Sequence, residues 1–154
     1  MVITIREDRK TRKIEALYRK ARKAGYGALE AHRAAKIVQA FEERSDVRIV
    51  CEPDQENYFS VYGEPSGYVG VNGRRVSSAQ ERTELEDAID RLGCWVVVAE
   101  IRCRCCGTWK SVDSVGMNTG YADPCDWLQN AYVPDLMNAA LLAVEEQSAE
   151  SLGS

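Results

Sequence analysis

CWVVVAEIRCRCCGTWKSVDSVG, residues 94–116, is the stretch on which the fold turns. Its first ten residues, Cys94 to Cys103, are the most apolar run in the chain, and β-branched side chains dominate them. Both faces of a strand built from them are largely apolar, which places that strand centrally in a sheet. Cys105-Cys106-Gly107 then turns the chain back into a partner strand over residues 108–116. Upstream, VRIVCE (47–52) and NYFSVYG (57–63) also carry a period of two, with Pro53-Asp54 between them as the turn of a hairpin. GYVGV (67–71) adds a short candidate strand closed by Asn72-Gly73. VITI (2–5) is β-prone and is expected at a sheet edge.

Helical periodicity surrounds these strands. Ile14, Leu17, Tyr18 and Ala21 fall on one stripe, as do Ala34, Ile37, Val38 and Phe41, and Gly25-Tyr26-Gly27 separates the two sets. Ser78 to Glu81 reads as a capping box opening a third helix with the stripe Leu85, Ala88, Ile89 and Leu92, stopped at Gly93. Pro134 opens a last helix, with Asp135 near its positive end and Met137, Ala140, Leu141 and Val144 inward. The expected fold is therefore α+β: an N-terminal helical hairpin, an antiparallel β-sheet of four to five strands, and two further helices packed on one face. Residues 1–45 form the N-terminal strand and hairpin, 46–146 the body, and 147–154 a small polar tail expected to be flexible.

Charge is divided unevenly along this plan. Residues 1–44 hold twelve Lys/Arg against six acids, whereas residues 45–154 hold eight against eighteen. The excess concentrates further in residues 6–23, with nine bases against three acids. On a helical wheel Arg9, Arg12, Lys13, Arg19, Lys20 and Lys23 lie opposite the first apolar stripe. Such a face is either ordinary solvated surface or a contact for an anionic partner; six phosphate contacts would give a log–log salt slope of roughly −5 on duplex DNA. No Phe or Trp interleaves with these cations, which argues against base stacking on a single strand. The acidic third helix, including Glu84 and Asp87, is the alternative contact face, imitating phosphates, or else plain solvated surface.

Catalytic signals are absent. The single histidine, His32, sits in AHRAAK on the second helix with no nucleophile elbow near it. GEPSGYVGVNG (63–73) lacks both the P-loop lysine and dinucleotide-binding glycine spacing. The chain is accordingly expected to be no enzyme and to need no cofactor. Cys103-Arg104-Cys105-Cys106-Gly107 contains half of a zinc knuckle, with Cys103 and Cys106 as the candidate ligands. A structural zinc needs four, which leaves Cys51 and Cys125 to be brought over by the fold; no metal is expected. Six cysteines, no leader and no apolar run of about 20 residues read as reduced thiols in a cytoplasmic protein without a membrane span. Tyr121 and Trp127, in an aromatic-rich loop before the last helix, are expected either to lid the core or to form a recognition surface.

Across residues 85–145 the apolar Trp-bearing strand, the C-x-x-C-G turn, W-x-x-x-D-S-V-G, G-Y-x-D-P and Y-V-P-D-L-M-x-A-A-L together resemble small accessory proteins encoded by bacteriophages and prophages. The resemblance implies a non-enzymatic inhibitor of anti-CRISPR or related anti-defence type, acting in the host cytoplasm on a host protein or nucleoprotein effector. A DNA- or RNA-binding regulator using the basic helix is the alternative from the residues themselves, and a zinc-stabilised module is a third.

Overall fold

The computed structural model describes residues 5–54, 83, 87 and 91–153. Helix α1 (Ile5–Lys23) and helix α2 (Ala28–Glu42) are followed by strand β1 (Val47–Pro53), strand β2 (Cys94–Arg102), strand β3 (Trp109–Thr119) and helix α3 (Val133–Gly153). The fold is α+β. The three strands form one antiparallel sheet in the order β1-β2-β3. The most apolar segment is thus its central strand, with hydrogen-bonding neighbours satisfying its backbone on both sides.

Ile5, expected in an edge strand, instead opens α1. The reason is local: Arg6, Glu7, Asp8, Arg9 and Lys10 follow it without a breaker, and two acids in the first turn suit the helix dipole. Residues 2–4, the expected strands at 57–63 and 67–71, and most of the third helix lie outside the described residues. Positions 83, 87, 91 and 92 are helical, as the capping-box reading requires. At the other end, α3 continues through the segment expected as a flexible tail, as far as Gly153. Gln147 donates to the Arg102 carbonyl and ties that part of the helix to the end of β2.

The helical hairpin forms as the stripes require. Leu17 and Ala21 of α1 and Ala31, Ala34, Ala35 and Val38 of α2 are buried, so the two helices meet largely through alanines at close range. Gly25 ends α1 with φ +105°, while Tyr26 and Gly25 donate back to the Ala21 and Arg22 carbonyls. That is the paired-bond helix stop that only a residue tolerant of the left-handed region closes cheaply.

Helix α3 is the hub. It packs on all three strands through one side and on α2 through another, and α1 then packs on α2. Val133, Leu136, Met137, Ala140 and Val144 of α3 join Val97, Ala99 and Ile101 of β2 in a single core with the hairpin residues. This stacking places α1 outermost, farthest from the sheet. On the opposite sheet face, Arg48 of β1 bridges to Glu100 of β2 at 2.7 Å, and its guanidinium carbon lies 4.2 Å above the centre of the Trp109 ring. No helix among the described residues is long and apolar enough to cross a membrane.

Candidate functional site

The outward face of α1 follows from how its inward face is spent. Ile14, Leu17, Tyr18 and Ala21 pack on α2, so the helix must turn Arg9, Arg12, Lys13, Arg19, Lys20 and Lys23 to solvent, and all six are exposed. Their circumstances differ. Arg12 meets Asp8 at 2.7 Å, Arg19 meets Glu15 at 3.9 Å, and Lys13 reaches across to Glu42 of α2 at 2.8 Å. In the first two pairs the acid precedes the base by four residues, the stabilising orientation, which contributes about 0.2–0.5 kcal/mol to the helix. Arg12 and Arg19 remain 76% and 77% exposed, so these ion pairs are solvated and exchangeable. Arg9, Lys20 and Lys23 pair with no acid among the described residues, and Lys20 and Lys23 also favour the negative end of α1.

The other expected contact residues separate. Asp87 is exposed on its helix; Glu84 lies outside the described residues. Tyr121 is half-buried, and burial raises its hydroxyl pKa. Trp127 leaves the contact surface altogether: it is 8% exposed and belongs to the core. Of the two roles its loop could have, that of a lid on the core is the one it fills. Its ring lies 5.8 Å from that of Tyr26, whose hydroxyl donates to the Trp127 carbonyl. Burial first, then the charges of Asp126, Asp135 and Glu30, push the Tyr26 hydroxyl up to about 12. His32 is exposed on α2 with its ring edge-on to Tyr18 at 6.2 Å, a helix-surface histidine.

A cleft of about 340 Å³ opens between the hairpin turn and the loop before α3, beside Tyr26 and Leu128. Its rim carries Arg33 bridged to Asp135 at 2.8 Å. Glu30 and Gln129 also line the cleft, and the Arg33–Asp135 pair is closed on itself.

The cysteines divide into three places. Cys94 is buried at the start of β2, where burial and then the charge of Asp54 push its thiol up to about 11. Cys125 is beside Cys51, and burial followed by that thiol's hydrogen bond pushes it up to about 12. Cys103, Cys105 and Cys106 share the β2–β3 turn, with their sulfurs all within 4.8 Å of one another. The possibility that the fold carries Cys51 and Cys125 to the half-knuckle is not realised. Cys51 pairs opposite Val97, about 20 Å along the sheet from Cys103 at ~3.3 Å per residue. The hydrogen bond from Cys105, then those from the Cys106 backbone and thiol, lower Cys103 to about 6 and so favour its thiolate, whereas Cys105 is raised by the same contact. The C-x-x-C spacing points to Cys103 and Cys106 but skips Cys105, the third thiol of the turn.

These environments set an expected order of reactivity. A short iodoacetamide pulse at pH 7 should alkylate Cys103 while Cys94 and Cys125 stay unmodified, since the thiolate is the nucleophile. Cys103 labelling should rise with a midpoint near pH 6, and the other two should begin only above pH 9 in the folded chain. Peptide mass mapping across pH reads this directly; a Cys103 profile rising only above pH 8 would contradict it.

Comparison with protein-family models, with curated proteins and with solved structures finds no match to this chain.

Proposed function

We propose that the chain is a non-enzymatic binding protein whose contact surface is the outward face of α1, and that its partner presents nucleic-acid phosphates as part of a nucleoprotein. The observation that carries this reading is that six cations share one exposed helix face while the opposite face of the same helix is committed to packing. A helix on the outside of the stack can approach a phosphate backbone without any rearrangement of the core. The resemblance to phage accessory proteins directs the choice of partner toward a host defence nucleoprotein, which the chain would block by occupying it.

The ion pairs refine the expected strength. Phosphates reach Arg9, Lys20 and Lys23 directly but must displace Asp8, Glu42 and Glu15 to use Arg12, Lys13 and Arg19. Binding to a nucleic-acid-containing partner should therefore weaken with a log–log salt slope between about −3 and −5. Reversing Arg9, Lys20 and Lys23 to Glu should lower affinity more than tenfold and flatten the slope by about 3. Affinity capture from a bacterial host with mass-spectrometric identification names the partner, and titration against salt measures the slope. An affinity indifferent to charge reversal would sink the proposal. Tight binding of naked random duplex at moderate salt would instead favour the DNA- or RNA-binding regulator.

A further inference from the structure

The β2–β3 turn is built in a way that strand reversal alone does not require. Cys103 is held by both of its backbone groups: its N–H donates to the Thr108 carbonyl at 2.8 Å, and its carbonyl accepts from Gly107 at 2.9 Å. Gly107, at φ +71°, supplies the left-handed residue that lets the chain close this loop. Arg102 Nε donates to the Gly107 carbonyl at 3.3 Å, a further tie across the loop. The three cysteines are thereby gathered onto one small patch, with Cys103 Sγ 3.0 Å from Cys105 Sγ and Cys106 Sγ 2.9 Å from the Thr108 hydroxyl. Cys105 and Cys106 are exposed and Cys103 is half-exposed, so the sulfurs contribute nothing to the core.

We propose that Cys103, Cys105 and Cys106 form a three-thiolate site for a soft monovalent cation of the Cu(I) type, open to solvent on one side. Three sulfurs around one ion at bond lengths of ~2.3 Å lie ~4 Å apart, so a set already within 4.8 Å needs only side-chain rotation. The donor set decides the ion. Thiolates select soft cations, and among the described residues no further His, Cys, Asp or Glu joins the group. Zn(II) here would need a water as its fourth ligand, the arrangement of an open rather than a structural zinc site, whereas Cu(I) is satisfied by three thiolates alone. On binding, three copper–sulfur bonds form and up to three S–H protons pass to the buffer. Copper remains Cu(I) and no electron moves. The complex carries a net −2, flanked in sequence by Arg102 and Arg104.

The test uses the full chain, reduced with a phosphine and kept anaerobic, titrated with Cu(I) from a chromophoric chelator. One equivalent per chain should bind, with an ultraviolet thiolate-to-metal charge-transfer band, and Zn(II) should bind more weakly. Cys103→Ser, Cys105→Ser and Cys106→Ser should each lower Cu(I) affinity at least tenfold, with circular dichroism unchanged because the turn lies outside the core. The Cys51→Ser/Cys125→Ser variant should bind as the parent does. X-ray absorption on the loaded parent chain reads the coordination number without any variant, and three sulfur neighbours are expected. Full affinity retained by any one of the three serine variants would overturn the site. So would a sulfur count of two or four, or stoichiometric displacement of Cu(I) by Zn(II).

Discussion

Trp127→Ala is expected to cost about 3–5 kcal/mol of unfolding free energy, the range for removing a large aromatic from a packed core. Trp127 is 8% exposed and packs into the same cluster as Leu136, Val133 and Ala34. Its removal leaves a void in that cluster, whose cost adds to the lost burial. It also strips Tyr26 of the ring it leans on, while the Tyr26 hydroxyl still holds the loop backbone. Against a typical total of 5–15 kcal/mol, such a loss brings the fold close to its limit. Trp127→Phe should cost less than Trp127→Ala, because part of the volume remains. Denaturant unfolding measures both. A cost below about 1 kcal/mol for the alanine variant would mean that the ring is not a core element, and would return it to the contact surface from which the structure removes it.

Asn130→Asp is expected to destabilise the protein by about 3–5 kcal/mol at neutral pH, although the two side chains have nearly the same shape. Asn130 is fully buried, both N–H donors of its amide are used and its oxygen accepts one hydrogen bond. Its Nδ2 donates to the Asn118 side-chain oxygen at 3.1 Å and to the Pro124 carbonyl at 2.9 Å, while its Oδ1 accepts from the Tyr132 N–H at 3.1 Å. Asn118 in turn donates to the Trp95 and Val115 carbonyls, which ties the loop before α3 to β2 and β3. A carboxylate at position 130 would turn both donor contacts into oxygen–oxygen repulsion in a site that excludes water. Burial and repulsion raise the folded pKa of that carboxyl above its unfolded value. The native state then favours the protonated form, and the penalty shrinks as pH falls through the raised pKa. Stability of the variant should therefore recover toward that of the parent on mild acidification, whereas a purely steric defect would not move with pH. Parallel denaturant titrations at neutral and mildly acidic pH separate the two.

The residues at stake in these two variants show where sequence reading stopped. Trp127 and Tyr121 stood in an aromatic loop compatible with either a lid or a recognition surface, and nothing local distinguishes the two. Burial of Trp127 arises from Tyr26, about a hundred positions away, and from helices that periodicity alone does not orient. Asn130 carried no signal at all, since an isolated asparagine in a loop has the same local pattern whether solvated or buried. The strand ends were similarly open. Ile5 is β-prone in isolation but joins α1 because the residues after it are good helix formers. Met117 to Thr119, beyond the strand expected over residues 108–116, extend β3 because Asn118 and Thr119 pair with Trp95 and Cys94. The turn cysteines were visible as a cluster, but which thiols converge depended on the closure of the turn.

What the chain's sequence determined by itself is everything set by short-range periodicity. It marked the two amphipathic helices of the hairpin and the glycine break between them, the doubly apolar strand 94–103 as the centre of a sheet, and the proline-led last helix. It also determined that Arg9, Arg12, Lys13, Arg19, Lys20 and Lys23 must face away from whatever α1 packs on, because the apolar stripe and the basic stripe are opposite faces of one helix. Tertiary structure alone decided that the hairpin packs on α3 through α2, and that α1 is consequently outermost. It alone decided that three of the six outward-facing α1 cations are engaged by acids, that Trp127 faces inward, and that three sulfurs meet at one turn while Cys51 and Cys125 meet elsewhere. The physical reason is common to all of these: each depends on which surfaces are buried against one another across long separations in the chain, and no local spacing encodes that.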